Sequence, residues 1–158
     1  MIGTTSSPHK RDIALAAGAI AVVDTNDEAW PEAFQEAAGG RKARVVYDAV
    51  GKDTLLKSLE CAAPFGLVVN YGAASGPSPA VDPALLNKYG CLFLTRPSVF
   101  PHNADPETFR ANAADLFEAI GRGHVAVDIG GRFPLSEISE AHRAAEAKEI
   151  AGAIVIDA

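Results

Sequence analysis

The sequence predicts an α/β fold built on a doubly wound parallel sheet, and three observations carry that prediction. Apolar, β-branched runs recur with little polar alternation, the pattern of strands buried on both faces. Between them lie amphipathic helical segments with recognisable start and stop signals. At 158 residues, 48% hydrophobic and 22% charged, the chain has the composition of one compact domain with a sizeable core rather than of a disordered segment.

Each element has its own local cause. The run Ile2-Gly3-Thr4-Thr5 leads to Ser7-Pro8, which supplies a helix N-cap and a proline at the first helical position, and Gly18 ends that helix after about three turns. Ala21-Val22-Val23 is the second run. The helical segment 27–38 sets Trp30, Phe34 and Ala37 on one face and stops at Gly39-Gly40. Val45-Val46-Tyr47 follows, then a helix over 54–62 with Leu55, Leu56 and Leu59 as its apolar face, then the strands Leu67-Val68-Val69 and Leu92-Phe93-Leu94. Strands alternating with helices at this spacing specify βαβ units whose right-handed crossovers build a Rossmann-type sheet. The stretch 72–83, rich in Gly, Ala, Ser and Pro, reads as a long loop.

Beyond Thr95-Arg96-Pro97 the rhythm changes. Asp105-Pro106 opens a helix carrying Phe109, Ala113, Leu116, Phe117 and Ile120. A strand Val125-Ala126-Val127-Asp128-Ile129 then turns through Gly130-Gly131 to Phe133-Pro134-Leu135, followed by a helix begun at Ser136 and a terminal strand Ala153-Ile154-Val155-Ile156. This reads as a tail that packs elsewhere. No internal repeat and no low-complexity linker interrupts the chain.

The formal net charge of −6 argues against a nucleic-acid or anionic-membrane surface, either of which needs clustered positive potential. No apolar stretch approaches the roughly 20 residues of a membrane span and no signal sequence opens the chain, so a soluble, cytoplasmic protein is expected. Cys61 and Cys91 have no histidines at ligand spacing and read as buried structural thiols. His9, His102, His124 and His142 form no metal-binding pattern, and neither a G-x-S-x-G elbow nor a Walker loop occurs.

Open α/β sheets bind ligands beyond the carboxyl ends of their strands, so the residues following each strand are the candidates. After the first strand stand Ser6, Ser7 and, one helical turn on, Lys10. Hydroxyls plus a cation suit a ribose 2′-phosphate, which a carboxylate there would repel; equally, Ser7 serves as an ordinary cap and Lys10 as a solvated lysine. After the third strand comes Asp48-Ala49-Val50-Gly51, either a close approach to a cofactor's ribose or a plain tight turn. After the fourth, Asn70-Tyr71-Gly72-Ala73-Ala74-Ser75-Gly76 offers small residues, free backbone N–H groups and one aromatic face. The one G-x-G-x-x-A match, Gly121 to Ala126, follows a helix instead of a strand and reads as a helix C-terminus; the phosphate-binding glycine loop is absent.

Four segments taken together carry a more specific signal: Tyr47-Asp48-Ala49-Val50-Gly51-Lys52-Asp53-Thr54, Tyr71-Gly72-Ala73-Ala74-Ser75-Gly76-Pro77, Leu94-Thr95-Arg96-Pro97-Ser98, and Phe133-Pro134-Leu135 ahead of Ala141-His142-Arg143. In this order the chain resembles the C-terminal half of the NADPH:quinone oxidoreductase, zeta-crystallin-like branch of the zinc-independent medium-chain dehydrogenase/reductase family. The resemblance implies an incomplete Rossmann sheet that lacks its first strand and glycine loop. Residues 1–122 would be a partial dinucleotide-binding domain, and residues 123–158 would return to a GroES-like substrate domain. It implies NADPH as cofactor, no metal, and hydride transfer to a quinone or other conjugated carbonyl. Ser6, Ser7 and Lys10 would face the 2′-phosphate, Val50 the adenosine, Tyr71, Gly72, Ala73 and Ala74 the nicotinamide ribose, Leu94, Thr95 and Arg96 the nicotinamide end, and Lys148 would add a further cation. Three positions depart from the family pattern: Thr25 where tyrosine is frequent, Ala73 where asparagine is common, and Lys148 where arginine is usual.

A missing first strand would leave a gap at the centre of a 3-2-1-4-5-6 sheet. Direct pairing of the flanking strands, or strand exchange with another chain, would repair it. A competing reading is a catalytically inactive truncated chain acting as an oligomerisation or binding module, with a homodimer formed through the edge strand Cys91-Leu92-Phe93-Leu94.

Overall fold

The computed structural model describes residues 1–147 and 150–158. It divides into two compact units, residues 1–98 and residues 99–158.

The first unit alternates strand and helix in the expected way. β1 (Ile2–Thr5), α1 (Pro8–Ala16), β2 (Ala21–Asp24), α2 (Trp30–Ala37), β3 (Ala43–Asp48), α3 (Leu55–Cys61), β4 (Ala62–Asn70), α4 (Pro83–Lys88) and β5 (Phe93–Thr95) follow one another. β1 pairs in parallel with β2, from Ile2 opposite Ala21 to Thr5 opposite Asp24. A second parallel sheet runs in the order β3-β4-β5, with Val46 opposite Val68 and Val68 opposite Leu94. β1 and β3 do not pair, so the repair by direct contact of these two strands does not form.

One face of the second sheet holds the core. Leu55, Leu59, Ala62, Val68 and Leu92 are buried together, with Val46, Leu86 and Leu94 packed against them. Beside this, Trp30 and Phe34 of α2 bury against Val23 and Cys61, with Val46 again at the junction. The other face departs from the expectation of strands buried on both sides. Val45 and Tyr47, pointing opposite to Val46, are 42% and 72% exposed, because α2, α3 and Leu86 of α4 all pack on the Val46 side.

Several local expectations shift. Ser7 occupies the N-cap position of α1, but its side chain makes no capping bond. The backbone N–H of Ser7 donates instead to Thr5 Oγ1 at 3.0 Å. The helix expected over 27–38 begins only at Trp30, since Asp27 is held in a turn whose carboxylate accepts the Ala29 N–H. Ala37 and Leu56 are exposed; the buried positions of the two helices are Trp30, Pro31 and Phe34, and Leu55, Ser58, Leu59 and Cys61. α4, which the sequence does not anticipate, begins at Pro83 where the stretch read as loop ends, and the Asp82 side chain caps the N–H of Ala84 at 2.8 Å.

Cys61 is buried, but Cys91 is exposed. It sits at φ 56°, immediately before β5, where its Sγ donates to Asn87 Oδ1 at 3.4 Å. The edge strand is correspondingly shorter than expected, beginning at Phe93, with Leu92 turned into the core.

The second unit contains α5 (Val99–His102), α6 (Pro106–Gly121), β6 (Ile129–Pro134), α7 (Ile138–Glu146) and β7 (Ala153–Asp157). Asp105 caps α6 through the Thr108 N–H at 2.8 Å. The Gly121-Arg122-Gly123 segment closes α6, with the Arg122 N–H donating to Glu118 O, as its order relative to the helix requires. The strand expected over Val125 to Ile129 lies further on. β6 begins at Ile129 and runs through Gly130 and Gly131, parallel to β7. These glycines form strand and not turn because a Cβ on Gly130 would stand 1.9 Å from the Ala151 carbonyl oxygen, so only glycine lets that backbone so close. A single 3-10 turn, Leu135–Glu137, absorbs Ser136 ahead of α7.

Candidate functional site

Loops that leave the carboxyl ends of β3 and β4 are locked together through one buried carboxylate. Asp48, the last residue of β3, is 3% exposed. Its Oδ1 accepts the N–H groups of Val50 at 3.0 Å and Gly51 at 2.8 Å, and both of its oxygens accept from the Thr54 hydroxyl. Ser58 Oγ donates to Oδ2 at 2.8 Å. The carboxylate thereby fixes the turn after β3 and the entry of α3 at once; a carboxylate fed by several N–H and O–H donors is what makes its burial tolerable.

The loop after β4 closes onto this turn. The N–H groups of Tyr71 and Ala74 donate to the carbonyls of Asp48 and Ala49 at 2.9 and 3.2 Å, and Ser75 donates its N–H and its hydroxyl to Val50 O, each at 2.9 Å. Gly72 lies so close that a Cβ there would stand 2.2 Å from the Ala49 carbonyl oxygen. At the end of β5, the Arg96 guanidinium reaches back: Nη1 donates to Asn70 Oδ1 at 2.7 Å and to Gly72 O at 3.2 Å. Asn70, 2% exposed, also accepts from Ser78 Oγ at 2.8 Å.

The candidate residues fall into two groups. Val50, Tyr71, Gly72, Ala73, Ala74, Thr95 and Arg96 stand together at the carboxyl ends of β3, β4 and β5. Tyr71 is 55% exposed and free to present its ring to a ligand. Leu94 instead packs on the core. Ser6, Ser7 and Lys10 lie beyond β1, where the Ser6 carbonyl accepts Asn26 Nδ2 at 2.7 Å and the Thr25 N–H donates to Thr5 O. Lys148 lies outside the described residues. The two organisers, Asp48 and Asn70, open the segments that the sequence marks after β3 and β4, but their organising role is not legible there; their partners sit 2 to 26 residues away with no period to reveal them.

Among the described residues no group of three or more His, Cys, Asp or Glu is placed to hold a metal ion. Cys61 is unsuited to nucleophilic work, since burial and the nearby Glu60 carboxylate push its thiol up to about 12. No helix among the described residues is long and apolar enough to cross a membrane.

Known proteins share this architecture. A quinone oxidoreductase of Pseudomonas aeruginosa is 40% identical over 99% of this chain, and quinone oxidoreductase 1 of Escherichia coli is 35% identical over 99%. In each case the match covers 48% of the relative, so the chain spans about half the length of the curated relatives it matches. Among solved structures, an Escherichia coli quinone oxidoreductase complexed with NADPH superposes with a TM-score of 0.90 at 36% identity, covering 99% of this chain and 49% of that one. A mycobacterial protein complexed with NADPH gives 0.90 at 40% identity, covering 98% and 49%. Residues 1–119 match the family described as zinc-binding dehydrogenase. Because that match takes in most of its length, the chain belongs to the zinc-binding dehydrogenase family, in the half of it that carries the parallel sheets.

Proposed function

We propose that this chain is the C-terminal, cofactor-binding part of an NADPH-dependent oxidoreductase that transfers hydride to quinones or related conjugated carbonyls. The observation that carries the reading is the interlocked rim formed by the turn 48–51, the loop 70–76 and Arg96. It holds small residues and one exposed tyrosine rigidly at the carboxyl ends of three parallel strands. The NADPH complexes of two similar structures support the choice of dinucleotide.

The donor set suits the cofactor. Ser6, Ser7 and Lys10 combine hydroxyls and a cation for the 2′-phosphate, with Lys148 as a further cation. Val50 borders the adenosine side. Tyr71, Gly72, Ala73 and Ala74 line the nicotinamide ribose, and Thr95 and Arg96 the nicotinamide end, with Leu94 supporting them from the core. When bound, the cofactor supplies the hydride, and the protein supplies orientation. Arg96 contributes chiefly by holding Asn70 and the Gly72 carbonyl in place, which keeps the rim from opening. In this reading residues 1–122 belong to the dinucleotide domain and residues 123–158 to a GroES-like substrate domain. No metal takes part, and the protein works in the cytoplasm as a homodimer joined at the β5 edge.

A titration of the chain with NADPH and with NADH, followed by nicotinamide fluorescence, tests the proposal. Saturable binding near micromolar affinity that weakens for NADH and for Lys10→Ala supports it. Absence of saturation up to about 1 mM overturns it in favour of a non-catalytic oligomerisation module, the reading favoured by Phe93, 62% exposed on the edge strand.

A further inference from the structure

The segments that follow β1 and β2 are stitched to each other through one amide side chain. Thr5 and Asp24 end their strands side by side, and the ladder continues a step further, with the Thr25 N–H donating to Thr5 O at 2.9 Å. Asn26 then adds a cross-link: its Nδ2 donates to the Ser6 carbonyl at 2.7 Å, while its own N–H donates to Asp24 Oδ1 at 2.9 Å. Past Ser6 the turn closes on itself. The Ser7 N–H donates to Thr5 Oγ1 at 3.0 Å, that hydroxyl donates to Ser7 O at 3.2 Å, and the Lys10 N–H donates to the same carbonyl at 3.0 Å. An N-cap serine ordinarily gives its oxygen to the first turn of its helix. Ser7 holds that position in an extended conformation and makes no such bond, so its hydroxyl is not spent on α1.

We propose that Asn26 is a positioning residue for dinucleotide selectivity: by holding the Ser6 carbonyl it fixes the turn 5–7 in the form that receives a ribose 2′-phosphate. The inference rests on the reading of Ser6, Ser7 and Lys10 as the residues that meet that phosphate. Electrostatics explains why a neutral amide makes the link. Segment 24–28 carries three carboxylates, and a phosphate beside it is repelled by any that lack a partner. Each has a donor of its own: Asp24 the Asn26 N–H, Asp27 the Ala29 N–H at 2.9 Å, and Glu28 the Lys57 ammonium at 2.5 Å. The backbone bond from Asn26 to Asp24 survives any side-chain substitution at 26, so variants there isolate the link to Ser6. Both ends of that link are exposed, and it therefore adds little to the stability of the unit; its effect is on where Ser6 and Ser7 stand.

The parent chain and variants at position 26 are titrated with NADPH and separately with NADH, followed by nicotinamide fluorescence. For Asn26→Ala the expected result is NADPH binding weakened about fivefold to tenfold and NADH binding within about twofold of the parent. Asn26→Asp sets an oxygen against the Ser6 carbonyl and adds a fourth carboxylate to the segment, so NADPH binding falls by more than about tenfold; about 0.5 M NaCl brings this variant close to the alanine one, because exposed charges are screened. Asn26→Gln keeps the amide donor and regains part of the loss. Without any ligand, the Ser7 and Thr25 N–H groups exchange faster in Asn26→Ala than in the parent, while its urea midpoint moves by less than about 0.3 M. Equal losses for NADPH and NADH assign the bond a structural role only and overturn the proposal, as does an Asn26→Ala chain with unchanged selectivity or unchanged exchange. A parent that binds neither dinucleotide overturns the cofactor reading and the selectivity role with it. A parent that binds NADPH, with no response to substitution at 26, overturns the positioning role alone.

Discussion

Replacing Asp48 with alanine removes the acceptor at the centre of the candidate site, and the cost follows from its partners. The carboxylate takes the backbone N–H groups of Val50 and Gly51 and the hydroxyls of Thr54 and Ser58. The two hydroxyls can rotate toward carbonyls of their own helical turn; the two N–H groups point into the turn and have no substitute. Each buried donor left unsatisfied costs about 1–3 kcal/mol, so the substitution removes roughly 3–5 kcal/mol from a unit whose total stability is of the order of 5–15 kcal/mol. Asp48→Asn keeps the shape and one acceptor oxygen but turns an NH2 group toward donors, and costs about 2 kcal/mol. Urea unfolding followed through Trp30, which lies in the same unit, reads this directly. With a urea slope of about 1–3 kcal/mol per molar, Asp48→Ala lowers the midpoint by roughly 2 M, and the asparagine variant falls between it and the parent. An alanine variant within about 0.5 M of the parent would refute the argument, since the donors would then be satisfied without the carboxylate.

Gly72→Ala drives a methyl group into the Ala49 carbonyl, forcing the two loops apart; a loss of about 1–3 kcal/mol in stability and at least a tenfold loss in NADPH affinity are expected from unfolding curves and fluorescence titration. Arg96→Ala frees the Asn70 side chain and the Gly72 carbonyl, costing about 1–2 kcal/mol, and limited proteolysis should cut the loop 71–82 faster than in the parent. At pH 8 a disulfide reagent should label Cys91 promptly and Cys61 only on unfolding, because Cys61 is buried and its thiol pushed up to about 12. The sign of the linked effect is fixed. A thiol that stays protonated in the fold binds more protons than in the unfolded chain, so its contribution is full below the ordinary value of 9.0 and is lost as pH rises from there toward about 12. Melting temperatures measured over that window should fall more steeply for the parent than for Cys61→Ala.

Elements with a local cause were legible in the sequence, and those set by long-range contact were not. The run Ile2 to Thr5 and the start at Pro106 are matched because an apolar run and an Asp-Pro pair act within one turn of themselves. α4 carries the same Asp82-Pro83 signature, yet the surrounding Gly, Ser and Pro hid it. β6 slipped because Gly130-Gly131 has the composition of a turn, whereas the approach of Ala151 makes it strand. The site divides in the same way. Val50 and the segment 71–74 were findable because ligands meet parallel sheets where strands end. Asp48 and Asn70 act through partners as near as Val50 and as far as Arg96, and no periodicity marks such a set.

The open cleft and the polar rim are consequences of the same packing. β1 and β3 keep free edges along the cleft between them, and beneath it Trp30 and Phe34 pack on Val23 and Cys61, with Ile2 and Val46 alongside. Burial of two such aromatic rings is worth several kcal/mol at about 25 cal/mol per Å², which fixes α2 against the strands of both sheets. A cleft of about 670 Å³ holds roughly twenty waters, enough to solvate both edges. The free edges therefore cost little while wet. The rim at 48–51 and 70–76 is independent of that floor, because every bond that builds it lies within β3, β4, β5 and the segments that follow them. It follows that a change at the cleft floor around Trp30 leaves the rim as it stands, and a change at Asp48 reaches the rim first.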